Sequence, residues 1–167
     1  FIPPVFPRVR AETIPELAPA LGLDAGALGR TVGAFNAAVR PGTFDHTMRM
    51  ANLVEAACNA IGANGLLGRV GTYFHDIGKL GRPQFFVENQ PKGRNPHDKL
   101  KPGASAQIIR AHIREGLELA AEHRIPRAIS SFIPEHHGTL SISYFLEKAR
   151  ERDTAPNMME FTYPGPI

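Results

Sequence analysis

A single cysteine among 167 residues excludes any internal disulfide framework and fits a reducing compartment. That residue, Cys58, falls between apolar neighbours in a helical pattern and reads as a buried, inert thiol. No apolar stretch approaches the roughly 18 to 20 residues needed to span a bilayer. No segment alternates apolar and polar residues as a half-buried strand would, and no repeat or low-complexity tract is present. The opening "FIPPVFPRVR" lacks both an initiating Met and the long apolar run of a secretory signal, so a fragment or processed product is expected. Excess charge is scarce as well. A formal +3 tolerates an anionic ligand without arguing for DNA or RNA.

What is present is ordinary in amount and informative in placement. With 43% hydrophobic and 21% charged residues, the chain is long enough for one compact domain with its own core. Residues 1–10 are too rich in proline for a regular helix. Two short helical patterns follow between Thr13 and Val39, the second with Leu28, Val32, Phe35 and Val39 in a stripe, before Pro41-Gly42 breaks the chain. Beyond the break, helices are expected over His46–Ile61, Leu66–Asp76, Ala104–His123, from Pro126 through Ile133, and over Ser141–Arg152. In the first of these, Met50, Leu53, Val54, Ala57 and Ile61 share one side; in the third, Ile108, Ile109, Ile113 and Leu117 are apolar. The stretch from Gly81 to Gly103 holds several prolines and no sustained period, so it reads as a long loop with at most a helical turn. The expected class is all-α.

Histidines and one aspartate fall where these helices can bring them together. His46 opens its helix; His75 and Asp76 close theirs after Leu66, Leu67, Val70, Tyr73 and Phe74; His112 shares a face with Ile108, Ile109 and Gly116; His136 and His137 follow Ile129 and Ile133. Any one of them alone would read as a hydrogen-bonded core residue or a cap. Inward-facing side chains from four helices, taken together, are how a bundle builds a metal site. Imidazole with carboxylate suits Zn, Mn, Fe or Ni, and the lack of thiolates disfavours a closed structural zinc site. Five imidazoles and one carboxylate exceed one tetrahedral ion, whereas two ions bridged by Asp76 would use them all. His97, in the basic loop, and His123, near a helix C-terminus, are set aside as structural.

The stretch "FHDIGK" resembles the histidine-aspartate motif of the HD superfamily of metal-dependent phosphohydrolases. More closely, the segment from "PGTFDHTMRMANLVEAACNAIG" through "FHDIGKLGRPQFFVENQ", with "NPHDKL", "EHHGT" and "FTYPGP", is similar to the cytosolic catalytic domain of seven-transmembrane HD-domain proteins, the PgpH-type bacterial cyclic di-AMP phosphodiesterases. The resemblance covers about residues 41–167. It implies an HD-domain helical bundle in which His46, His75, Asp76, His112, His136 and His137 hold two divalent metals, of iron or manganese type, with Asp76 bridging. Lys79 would face a phosphate oxygen. The implied reaction is attack of metal-bound hydroxide on one phosphodiester of cyclic di-AMP, giving pApA. It also implies a cytoplasmic location, with a homodimer as one form of assembly.

Two departures accompany the resemblance. The family pattern runs past "YPGP" into a helix with a last aspartate ligand, so the domain at 41–167 is expected to be C-terminally truncated and one metal site to lack a ligand; Asp153 does not match that position. Residues 1–40 are instead similar to a helical segment of FAD-dependent fumarate-reductase-type dehydrogenases. They carry no dinucleotide-binding glycine fingerprint, so no flavin chemistry is assigned and a fused or chimeric extension is expected. In the loop, Arg82, Lys92, Arg94, Lys99 and Lys101 are candidates for holding phosphates, Arg82 and Lys99 first among them, while Phe85 and Phe86 read as core anchors or adenine-stacking rings. The competing functions are another HD-type nucleotide phosphohydrolase and an inactive domain that still binds metal or nucleotide.

Overall fold

Among the described residues, the Pro-Gly pair expected to break the chain lies within a helix. In the computed structural model, which describes residues 41–152 and 155–165 together with Gly26 alone, the first described helix, α1, spans Pro41–Ala60. Proline suits a first helical position, where its missing N–H is not needed. Helix α2 spans Gly65–Phe74, α3 Pro102–Glu122, α4 Arg127–Ser130, α5 Phe132–Glu135 and α6 Ser143–Arg150. The expected all-α class is what the structure shows; among the described residues the β pairing is a single bridge between Ser141 and Thr162. The extension at 1–40 and Asp153 lie outside the described residues.

The expected face of α1 is corrected. Leu53 and Ile61 are 64% and 81% exposed and Ala57 is exposed, while Thr43, Thr47 and Ala51 are buried and Val54 and Cys58 half-buried. Val54 and Cys58 meet α2 where it carries a glycine, because the two helices approach closely there. A Cβ on Gly68 of α2 would stand 2.9 Å from Cys58 Sγ and 3.0 Å from Val54. Cys58 is thus half-buried at this seam rather than fully buried. On α3 the inward stripe is Ser105, Ala106, His112, Ile113, Gly116 and Ala120, with Leu117 turned outward at 39% exposure.

Helix α2 ends two residues earlier than expected. Asn64 caps its start by accepting from the Leu67 N–H at 3.0 Å, and His75 is its C-cap. Asp76 follows at φ −109°, ψ 14°, and leads into a 3₁₀ turn over Ile77–Gly81. The expected fourth helix is split into α4 and α5 at Ser131, with Pro126 as a cap rather than in the first turn. Pro134 accounts for the split: it has no N–H for the Ser130 carbonyl, and its ring crowds that carbonyl in a continuous helix. The expected fifth helix shortens to α6 because Ser141 pairs with Thr162.

The long loop is a chain of single turns. Three 3₁₀ turns, Pro83–Phe85, Val87–Asn89 and Pro96–Lys99, carry it across the molecule. His97 anchors it: the ring is buried, its Nε2 lies 2.9 Å from the Phe85 carbonyl, and it packs on Phe85 and Phe145. Phe86 is buried and Phe85 half-buried, in keeping with the core reading of the pair.

Two apolar clusters hold these pieces. Val70, Phe74, Ile77, Ala120, Ile129 and Ile133 join α2, α3, α4 and α5. Ala106, Phe145, Leu146, Ala149 and Phe161 join α3, α6 and the 3₁₀ turn Met158–Phe161. Burying side chains such as Phe74 or Ile133 fully contributes about 1.5–3 kcal/mol each. The polar residues of interest lie beside the first cluster.

Candidate metal centre

Asp76 sits at 3% exposure, and its position depends on a close approach of backbone to backbone. A Cβ on Gly78 would lie 1.9 Å from the His112 carbonyl oxygen and 2.5 Å from the Gly116 nitrogen. Only glycine lets the Ile77–Gly81 turn rest on α3, and that contact brings Asp76 to His112.

Each Asp76 oxygen faces a different group. Oδ2 lies 3.0 Å from His75 Nε2 and 2.8 Å from Lys79 Nζ. Oδ1 lies 3.6 Å from Nε2 of both His112 and His136, too far for hydrogen bonds, and has no hydrogen-bond partner of its own. Two triads therefore meet at this carboxylate. One ligand atom each from His46, His75 and Asp76 lie within 4.8 Å of one another, and so do atoms from His112, His136 and His137. The structure brings together all six side chains expected from the sequence. His46, on the first turns of α1, is exposed and stands 6.4 Å ring to ring from His75; the others are buried or half-buried.

Three imidazoles are aimed by the backbone. The Nδ1–H of His75 donates to the Thr72 carbonyl at 2.5 Å, that of His112 to Ile109 at 2.5 Å and that of His136 to Ile133 at 2.8 Å. Each bond leaves Nε2 directed at Asp76. Such outer bonds fix the tautomer and orientation of metal-binding histidines.

Electrostatics follow from the burial. Desolvation lowers His112, brings His136 down to about 4 and, helped by the charges of His136 and His112, brings His137 to about 3. All three are neutral at pH 7, with nitrogen lone pairs available. Burial also works against charge at His75, Asp76 and Lys79, but their mutual attraction wins. Asp76 is held well below the usual carboxylate range by His75, Lys79 and His112, while Asp76 raises His75 and, with Glu88, raises Lys79. A buried carboxylate with an orphaned oxygen, ringed by neutral imidazoles, fits a bound cation, whose charge would replace the missing hydrogen bonds.

Residues 43–160 match the family model of the HD domain. The chain belongs to the HD-domain family. It is 48% identical over 126 residues to the cyclic-di-AMP phosphodiesterase PgpH of Bacillus subtilis, an alignment that covers 75% of this chain and 18% of that protein. The PgpH of Listeria monocytogenes is 47% identical over the same length and the same shares. This HD chain thus spans about a fifth of the length of those relatives. A crystal structure of the Listeria HD domain in complex with cyclic-di-AMP superposes with a TM-score of 0.73 at 47% identity, covering 75% of this chain and 59% of that one. An HD domain with such a cluster is a divalent-metal-binding fold. No described helix is long and apolar enough to cross a membrane.

The remaining candidates fall in different places. Lys79 Nζ lies between Asp76 and Glu88, 2.8 Å from each, and 5.0 Å from the centre of the Phe86 ring. Arg82 instead pairs with Glu115 at 2.7 Å on the surface and lines an open groove on the outer side of α3, to which none of the six donors contributes. Lys99 ends the Pro96–Lys99 turn in solvent, and Lys92, Arg94 and Lys101 are exposed too. Neither Arg82 nor Lys99 pairs with any of the six donors among the described residues.

Sequence reasoning missed the supports. Asn89 accepts from the Thr43 N–H at 3.2 Å and donates to Thr43 Oγ1 at 2.6 Å and to the Pro83 carbonyl at 3.2 Å, pinning the start of α1 to the loop. Tyr163 stacks on His137 with centroids 3.9 Å apart and planes 13° apart, and burial, with the Asp76 charge, pushes its hydroxyl up to about 12. These residues stand in "VENQ" and "FTYPGP", stretches without periodicity to mark them.

Proposed function

We propose that this chain hydrolyses one phosphodiester of cyclic di-AMP to give pApA, using two divalent ions, manganese or iron, held by His46, His75, Asp76, His112, His136 and His137. The observation that carries the reading is the Asp76 carboxylate, buried at 3%, with one oxygen toward each of two donor triads. Bound divalent ions lower the pKa of water and neutralise phosphate charge. The chain's own residues do the rest. Asp76 holds both triads to one centre, and the neutral imidazoles of His112, His136 and His137 give lone pairs without losing protons at pH 7. Lys79, a cation fixed by Asp76 and Glu88, is the side chain placed to draw an anionic phosphate oxygen to the centre.

The relatives support the substrate: both PgpH proteins are named for cyclic di-AMP, and the Listeria HD domain is solved with it. A small dinucleotide, rather than DNA or RNA, and a cytosolic setting belong to the same reading. Incubation of the Mn2+-loaded chain with cyclic di-AMP, followed by chromatography, is expected to yield pApA. Turnover of nucleoside monophosphates or guanosine alarmones alone would assign it to another class of phosphohydrolase, and tight binding without product would make it a sensor.

A further inference from the structure

Among the clustered histidines, His137 is held differently from its neighbours. His75, His112 and His136 each donate Nδ1–H to a carbonyl in the preceding turn. The His137 ring has no hydrogen bond among the described residues; it packs edge-on to His112 at 5.4 Å, tilted by 43° against His136 at 4.0 Å, and flat only on Tyr163. An imidazole lone pair lies in the ring plane, so whatever fixes that plane aims the nitrogen. A parallel ring at 3.9 Å restricts rotation of the plane without covering either nitrogen at the ring edge.

Tyr163 is itself firmly placed. The segment from Phe161 to Gly165 runs antiparallel to the chain just after His137: the Ile142 N–H donates to Phe161 at 2.7 Å, the Tyr163 N–H to Leu140 at 3.0 Å, and the Gly165 N–H to Gly138 at 3.1 Å. Phe161, 2% exposed, roots the segment in the second apolar cluster. Gly165 closes it, since a Cβ there would meet the Pro134 carbonyl oxygen at 2.3 Å and that of Gly138 at 2.6 Å. A ladder at one end of the fold thus reaches one ring of the metal centre.

We infer that Tyr163 is the positioning residue for His137, supplying by ring stacking the orientation that backbone hydrogen bonds supply to the other buried histidines. The inference rests on the reading of His137 as a metal ligand. The test is calorimetric titration of the metal-free 167-residue chain with Mn2+, comparing wild type, Tyr163→Phe, Tyr163→Leu, His137→Ala and the double variant Tyr163→Leu/His137→Ala. His137→Ala is expected to weaken one ion and spare the other. Tyr163→Phe, which keeps the stacking face, is expected to bind as wild type. Tyr163→Leu should weaken the same ion by about tenfold or more, the usual cost of losing a support behind a ligand. The double variant should be no weaker than His137→Ala. Wild-type binding in Tyr163→Leu while His137→Ala loses an ion would overturn the positioning role and leave the ligand intact. Unchanged binding in His137→Ala would overturn both. Further weakening in the double variant, or loss in Tyr163→Phe, would show that Tyr163 acts other than through this stack.

Discussion

Asp76 and Gly78 stand two residues apart and depend on each other. The aspartate offers its oxygens to two triads, and the glycine permits the backbone contact with α3 that carries it there. Gly78→Ala would drive a methyl group into the His112 carbonyl oxygen, which belongs to a helix backbone and cannot rotate away. The expected result is destabilisation by about 3 kcal/mol or more with weakened metal binding, measured by urea unfolding and metal titration. A variant of near wild-type stability would contradict the close approach. The clustering of the six candidate donors was readable from residue type: imidazoles and an aspartate at helical spacing beside apolar faces carry their own signal. Tyr163 and Glu88 carried none, because a stacking ring or a partner for a lysine looks in sequence like any aromatic or acidic residue in a loop.

At the scale of elements, the Val87–Asn89 turn and the start of α1 act as one support. Asn89 makes three hydrogen bonds, two of them to Thr43, one turn before His46. Asn89→Ala leaves the buried Thr43 N–H without a partner and its hydroxyl with Glu88 at 3.5 Å, and is expected to cost about 1–3 kcal/mol. Because two of the three bonds hold the start of α1, Mn2+ binding at the His46 triad should weaken more than at His112, His136 and His137; equal loss at both in a titration would refute this. Helix existence was legible from periodicity, and α3 appears nearly as expected. The face of α1 was not, since Thr47 and Ala51 are buried while Leu53 and Ile61 are exposed, and apolar size alone cannot reveal how near a neighbouring helix lies. The α4–α5 break was legible in principle from Pro134. The three loop turns between Pro83 and Lys99 depend on contacts such as His97 with Phe85, made only when the chain is folded.

For the whole molecule, the buried histidines predict how stability responds to acid. Burial holds His112, His136 and His137 below the ordinary histidine value of about 6.5, bringing the last two to about 4 and about 3. As pH falls below about 6.5 the unfolded chain takes up protons that the folded chain refuses, so stability is lost toward pH 4. His75 works in the opposite sense: its raised value adds stability below about 6.5 that is lost as pH rises through the folded value. Three lowered groups outweigh one raised group. Melting of the chelator-treated chain is expected to show Tm lower at pH 5 than at pH 7.5 by roughly 3 °C or more. An equal or higher Tm at pH 5 would mean that these imidazoles are not buried as described.

Elemental analysis of purified, metal-reconstituted protein reaches furthest into the account. It should find about two divalent ions per chain in the wild type, the same in Cys58→Ser, whose half-buried thiol lies at the α1–α2 seam away from the triads, and none in Asp76→Ala. Full occupancy in Asp76→Ala, or no ion in the wild type, would contradict a centre built on that carboxylate.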